Sequence, residues 1–313
     1  MSHFLVAVED SANALHDWSL YRTDPYSSSC KLGSGSFGTV ILAQNTNVGV
    51  KRSYAIKVFH SKTLPYDKIL DRARAEANIV QDIQNKLQCK DNVVSVIGLV
   101  AGPICASSTI RTLLTNILKE DIHDNLVGIV MNYEKGGSLE ELLYPPEGTP
   151  KTPLSLKDKF KILTDVISGL YEIHILGYTH GDIKPGNILF SRKGDPSSDF
   201  KLTDFGLSRQ NRDIIGLSLD SETETAQGGS LTGTYIYMAP ELLQKVQPSR
   251  RSDLYAFGML AWEVLAEMRP FSHITSQAEL GFTLGRGERP DPKHLPEGMQ
   301  KPSYPIAYVN IIT

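Results

Sequence analysis

The chain has 313 residues, 41% of them apolar, which is ordinary for a soluble protein and enough for two packed domains. Its net charge is −3, with acids and bases interspersed, so it lacks the basic patch or arm of a nucleic-acid binder. No stretch approaches the roughly 20 apolar residues of a membrane span; the best candidate, 256–266, is short and carries Glu263.

In chain order, residues 1–26 show no clear periodicity and are expected to be a leader or linker. The apolar start is broken by Glu9 and Asp10, unlike a signal peptide. Strand-like runs follow at 30–32, 39–43 and 53–59, with a glycine turn between the first two. Residues 69–87 are predicted to be a helix, with Ala73, Ala77 and Val80 on one face and charge on the other. The runs 93–100 and 126–133 are rich in β-branched residues and read as strands. The stretch 101–125 between them exceeds the usual connection of roughly 2–6 residues and is expected to be an insertion. Beyond Tyr133 the character changes. Residues 154–176 form a long predicted helix ending at Gly177, and 252–267 form a second. Between them lies a polar stretch, 208–233, rich in Ser, Thr and Gly. A sheet-rich first part and a helical second part predict two lobes rather than alternating βαβ units. Cys30, Cys89 and Cys105 are odd in number and widely spaced, as expected of free thiols in a reducing compartment.

Several segments carry chemistry. Gly33-Ser34-Gly35-Ser36-Phe37-Gly38-Thr39-Val40 is a GxGxxG pattern, whose glycines let backbone amides approach a phosphate. A strand, not a helix, follows it, which fits a hairpin folding over a nucleotide better than a dinucleotide fold. Tyr54-Ala55-Ile56-Lys57 sets a lysine in an apolar strand, where it needs a partner. Glu76, on the apolar face of the following helix, is the candidate. His180-Gly181-Asp182-Ile183-Lys184-Pro185-Gly186-Asn187 offers a carboxylate that can orient a hydroxyl, a lysine that can neutralise a phosphoryl group, and an amide oxygen that can ligate a hard cation. Leu202-Thr203-Asp204-Phe205-Gly206 places a second carboxylate at a strand end.

Taken in order, these motifs resemble the eukaryotic protein kinase family from about Cys30 onward. Gly233-Thr234-Tyr235-Ile236-Tyr237-Met238-Ala239-Pro240-Glu241 and Asp253, opening a long helix, complete the series. The resemblance implies an α+β, two-lobed protein kinase fold: a small antiparallel β lobe with one helix (27–133) and a larger, mainly helical lobe (134–313). It implies transfer of the γ-phosphate of ATP, with Mg²⁺, to Ser or Thr of protein substrates. By the same resemblance, Lys57 contacts the α/β-phosphates and Glu76 anchors it, while Asp182 orients the substrate hydroxyl beside Lys184 and Thr234. Asn187 and Asp204 hold the metal. Gly33, Ser34, Gly35, Ser36, Phe37, Gly38, Val40, Ala55 and Leu189 surround the nucleotide. Met131 guards the back of the adenine pocket, and Asn132, Tyr133 and Glu134 form the hinge. His180 and Phe205 stack, and Asp253 anchors the catalytic loop. Lys184 and the Gly233-Thr234 pair go with Ser/Thr specificity, and Gly136-Gly137-Ser138-Leu139 looks most like the tyrosine-kinase-like Ser/Thr group.

Three features depart from the family pattern. Gly181 stands where the family usually has an Arg that pairs with an activation-segment phosphate, so activity should not strictly require phosphorylation within 208–232. The second lobe looks incomplete at its end, with no Arg after Arg289 to pair with Glu241. The long helix 252–267 is therefore expected to be partly uncovered. The insertion 101–125 is the third departure. Two other readings stay open: a pseudokinase scaffold, and a small-molecule phosphotransferase like the aminoglycoside and choline kinases, which share His-Gly-Asp.

Overall fold

The computed structural model describes residues 15–35, 38–46, 52–60, 64–86, 92–119, 122–210, 233–243 and 246–300. The chain divides into two units, Met1–Glu134 and Lys135–Thr313.

The first unit runs β1 (Leu15–His16), β2 (Tyr21–Arg22), β3 (Lys31–Gly35), β4 (Gly38–Asn45), β5 (Ser53–Phe59), α1 (Tyr66–Lys86), β6 (Val96–Pro103), α2 (Thr109–Leu118) and β7 (Asn125–Asn132). They build a seven-stranded sheet in the order β1-β6-β7-β5-β4-β2, with β3 also paired to β4. All pairings are antiparallel except β1 on β6. Alternation along the strands sorts two cores. Phe59, Val127, Ile129 and Met131 pack with Ala73 and Ala77 of α1. Ile56, Val58 and Val130 face the other way.

That second face corrects one expectation and fills in another. Residues 15–26 are not a leader: their strands join the sheet, and Trp18 and Tyr21 are buried in its core. The stretch 101–125, expected to be an insertion, carries structure of its own. Its start extends β6 to Pro103, and it then folds into α2, whose Ile110, Leu113 and Leu114 cover the same face. This helix adds to the single one expected of the lobe. Segment and helix tie together where Thr109 Oγ1 accepts the Thr23 amide (3.3 Å) and Asn116 Nδ2 donates to the Pro25 carbonyl (3.3 Å). Local sequence could not reveal this, because the segment's apolar residues are spaced for no helix or strand. One cue lay elsewhere. Gly128 sits in mid-strand, and a Cβ there would lie 3.1 Å from the Trp18 ring and 2.8 Å from Ile56 Cγ2. Trp18 also donates from its indole to the Leu126 carbonyl (3.3 Å). Trp18→Phe, which loses that bond and some volume, is expected to cost about 1–2 kcal/mol. A denaturant melt with an unchanged midpoint would return the segment to the status of a tether.

The second unit runs β8 (Gly137–Ser138), α3 (Leu139–Leu143), α4 (Leu156–Ile175), β9 (Tyr178–Thr179), β10 (Ile188–Phe190), β11 (Phe200–Leu202), β12 (Arg209–Gln210), α5 (Pro240–Leu243), α6 (Arg250–Ala266) and α7 (Gln277–Gly285). Capping boxes open α3 at Ser138, α4 at Ser155 and α6 at Ser249, each closed by the residue three positions on. Among the described residues, no helix is long and apolar enough to cross a membrane.

The expectation of a partly uncovered 252–267 helix fails. In α6 every residue from Ser252 to Val264 except Leu254 is buried, as befits a helix at the centre of its unit. It packs on α4, and Trp262 donates from its indole to the Asp291 carbonyl (3.2 Å). Arg289 lies over the Tyr255 ring, 5.1 Å from its centre. The residues after α7 thus cover surface that the expectation left bare. Glu241 has no ion pair among the described residues, although its field and that of Arg289 both reach the Tyr255 phenol.

Candidate active site

In the first unit, Lys57 lies at the middle of β5, buried on the face that α1 covers. Glu76 meets it from the buried stripe of α1, Ala73, Glu76, Ala77, Val80 and Ile83. The Lys57 ammonium donates to both carboxylate oxygens of Glu76, at 2.8 and 2.9 Å. Their side chains are only 8% and 6% exposed. At such burial an ion pair persists only with good geometry, which the two-oxygen contact supplies. The ammonium also sits 5.2 Å from the centre of the Phe59 ring.

The glycine hairpin lies on the neighbouring strands. Val40 pairs with Lys57 across β4 and β5, and Ala55 pairs with Met131 across β5 and β7. Met131 packs at the edge of the α1-side core, and Asn132 ends β7, followed by Tyr133. Gly38 is required by close approach, since a Cβ there would lie 2.3 Å from the Val58 carbonyl oxygen. For Gly33 and Gly35 a Cβ would meet nothing within 4 Å. Among the described residues neither packing nor backbone calls for glycine there, so the open space suits a ligand that side chains would obstruct. Ser36 and Phe37 lie outside the described residues.

In the second unit, Asp182 and Asn187 flank the turn that leads into β10. Asp182 Oδ2 accepts from Lys184 Nζ (2.7 Å) and from Asn187 Nδ2 (2.8 Å), and the same amide nitrogen donates to the Asp182 carbonyl (2.8 Å). With its nitrogen committed, Asn187 has its amide oxygen left for a cation. Asp204 follows β11 with φ +65°, a left-handed backbone that a short polar side chain tolerates at about 1–2 kcal/mol. Leu189 lies within β10, opposite Lys201. Thr234 is in the 3-10 helix Gly233–Tyr237, and its side chain is outside the described residues, as is the segment 211–232.

Beneath this loop lies buried Asp253, in the first turn of α6, where the helix dipole favours an anion. Its carboxylate accepts the amides of His180 and Gly181, both at 2.8 Å. It also bonds His174 Nε2 on α4 at 2.8 Å. Gly181 takes φ +82°, which lets both amides reach one carboxylate. His180 and Phe205 are in contact with ring centres 4.9 Å apart, but their planes are tilted by 53° instead of stacked as expected. The His180 Nε2 donates to the Thr203 carbonyl (3.1 Å), and its Nδ1 accepts the Asp182 amide (3.2 Å). Those partners fix the neutral tautomer. Burial, the largest influence, pushes the imidazole's pKa below its ordinary 6.5, while Asp253 and other carboxylates pull it up.

A stability consequence follows. The unfolded imidazole takes up a proton as pH falls through about 6.5, whereas the folded one resists until a lower pH. The contribution of His180 is therefore complete above 6.5 and is lost between that value and the lower folded pKa. Urea melts at pH 7.5 and 5.5 should show a lower midpoint at the acid pH, with a smaller difference in His180→Gln. An equal difference in both proteins would assign the effect to other groups.

Some of these contacts had no sequence signal. His174 bears on Asp253 only through the tertiary packing of α4 on α6. Glu263, whose charge broke the apolar run in the sequence, is fully buried and accepts from Tyr144 (2.7 Å) and Tyr237 (2.5 Å). Burial raises its pKa and the two phenols lower it.

A protein-family profile described as the protein kinase domain matches residues 26–286. Among curated proteins, the chain is 34% identical over 170 residues to receptor-interacting serine/threonine-protein kinase 2 of Bos taurus, covering 53% of this chain and 29% of that protein. It is 32% identical over 242 residues to the serine/threonine-protein kinase PknL of Mycobacterium tuberculosis, covering 77% and 49% respectively. With receptor-interacting serine/threonine-protein kinase 1 of Homo sapiens it shares 30% over 184 residues, 56% of this chain and 26% of that one. The chain thus spans half or less of each of these relatives. With the profile spanning both units and every motif from the glycine hairpin to Asp253, the chain belongs to the protein kinase family.

Proposed function

We propose that this chain transfers the γ-phosphoryl group of ATP to Ser or Thr hydroxyls of protein substrates. The observation that carries the reading is the Asp182 carboxylate, oriented by Lys184 and Asn187 while its own amide is held by His180. Such a carboxylate can align a hydroxyl and accept its proton, and the lysine beside it can offset charge on the phosphoryl oxygens. Lys57, held by Glu76, is assigned to the α- and β-phosphates, and the hairpin amides around Gly33 and Gly35 to the phosphate tail. Ala55, Val40 and Leu189 are assigned to the adenine, with Met131 behind it and the backbone of Asn132 to Glu134 at its edge. Asn187 and Asp204 are assigned to Mg²⁺. Among the described residues no three His, Cys, Asp or Glu side chains form an all-protein cage. Mg²⁺ is usually held by one or two carboxylates with water and substrate phosphates, which one carboxylate and one amide oxygen can supply. When bound, Mg²⁺ screens the phosphate charge. The rest is assigned to positioning, since the 180–187 loop offers a carboxylate and a lysine instead of a Ser, Thr or Cys nucleophile. Thr234 is assigned to the substrate side. Absence of a cation at Gly181 supports activity without a phosphorylated segment. Free Cys30 and Cys105 suit the cytoplasm.

The test is γ-phosphate transfer from labelled ATP to a Ser/Thr/Tyr peptide library, with aminoglycosides and choline as competing acceptors. Label on Ser and Thr peptides is the expected result. Label on the small molecules alone, or nucleotide binding without turnover, would give the site to one of the other two readings.

A further inference from the structure

The glycine hairpin carries a polar side-chain chain that none of the assigned roles uses. Thr39, the second residue of β4, is 1% exposed, yet its hydroxyl must find partners there. It has two: Ser34 Oγ on β3 at 3.3 Å, and Nε2 of His60, the residue after β5, at 3.1 Å. Thr39 also sits at a crossing of strands, directly opposite Ser34 on one side and Val58 on the other. Beside it Gly38 is pressed against the Val58 carbonyl. The described arms of the hairpin at Ser34 and at Gly38–Thr39 are therefore joined to the strand that bears Lys57 by close backbone contact and by these side chains.

We propose that Thr39 and His60 are positioning residues. The chain Ser34–Thr39–His60 latches the glycine hairpin to the end of the Lys57 strand and so sets where the loop's amides meet nucleotide phosphates. A hydroxyl has one proton and two lone pairs, so Thr39 can donate to one neighbour while accepting from the other whichever tautomer His60 adopts. The latch holds in either polarity. Ser34 is exposed and belongs to the glycine motif itself, so the latch ends where a ligand would arrive. Without it the hairpin would sample more positions, and nucleotide binding would bear the cost of ordering it. The proposal rests on reading this hairpin as phosphate-binding.

Thr39→Val keeps the branched shape and removes the hydroxyl. Ser34→Ala cuts the outer link at an exposed site within the nucleotide loop itself, so it reports on affinity and not on turnover. Thr39→Ser restores the hydroxyl. One net hydrogen bond corresponds to roughly a three- to tenfold change in an equilibrium constant. The dissociation constant of Mg·ATP, titrated directly, should rise by about that factor in Thr39→Val and Ser34→Ala and return in Thr39→Ser. Turnover at saturating ATP should stay within about twofold in Thr39→Val, because Thr39 and His60 touch no reacting group. Amide exchange at 33–35 in the nucleotide-free protein should quicken in the same two variants. Unchanged affinity in folded Thr39→Val overturns the latch and leaves the kinase reading standing. So does a parallel loss of affinity, turnover and melting temperature, which would mark a merely structural hydroxyl. If the unaltered chain binds no Mg·ATP, the phosphate-binding reading falls, and the positioning role with it, even if exchange still quickens.

Discussion

Asp204→Asn should lower phosphotransfer by about a thousandfold while leaving the protein folded. The carboxylate and the amide are nearly the same size, and Asn accepts the left-handed backbone that Asp204 adopts at φ +65°. What changes is charge. A cation that stabilises a transferring phosphoryl group is worth several kcal/mol, and each 1.36 kcal/mol is about tenfold in rate. Asp182→Asn should cost roughly 10²- to 10⁴-fold, the usual contribution of a positioned acid–base group. Its amide oxygen can still accept from Lys184 and Asn187, so the loop should keep its shape. The two variants should differ in one respect: more Mg²⁺ should recover part of the loss in Asp204→Asn and none in Asp182→Asn. Single-turnover transfer measured across an Mg²⁺ series, beside a denaturant melt, separates them. Near-normal rates in either variant would remove that residue from its assigned role.

How far the sequence foretold this site depended on how local each constraint is. Lys57 and Glu76 were legible because each breaks an otherwise apolar face, and a buried charge of either sign calls for the other. The 180–187 and 202–206 segments were legible because Pro, Gly and acidic residues leave few backbone shapes. By contrast, Trp18 is held by a core assembled from β4, β5, β6, β7 and α2, and no window of neighbouring residues records that. The same holds for the covering of α6. That helix was expected to be partly bare, and Asp291 and Arg289, which meet Trp262 and Tyr255, carry no pattern of their own. Thr39 and His60 were missed for a related reason: Thr is a common strand residue, and its partner lies 21 positions away.

Lys57→Met should remove activity and destabilise the protein, and the two effects should come apart. Both carboxylate oxygens of Glu76 bond the Lys57 ammonium in surroundings that admit little solvent. Taking away one partner of a buried pair costs about 3–5 kcal/mol, because the remaining charge loses that cation where water cannot replace it. A melt should therefore show a clear fall in Lys57→Met. Replacing both residues, Lys57→Met with Glu76→Leu, removes the stranded charge and fills the space with apolar atoms that match Phe59, Ala73 and Ala77 around them. Such replacements are often neutral or stabilising, so the double variant should regain most of the lost stability. Its phosphotransfer should stay as low as that of the single variant, since no cation remains to meet the phosphates. A double variant as unstable as Lys57→Met would mean that the pair holds α1 against the sheet by more than mutual neutralisation. Recovered activity would mean that Lys57 never touched the nucleotide.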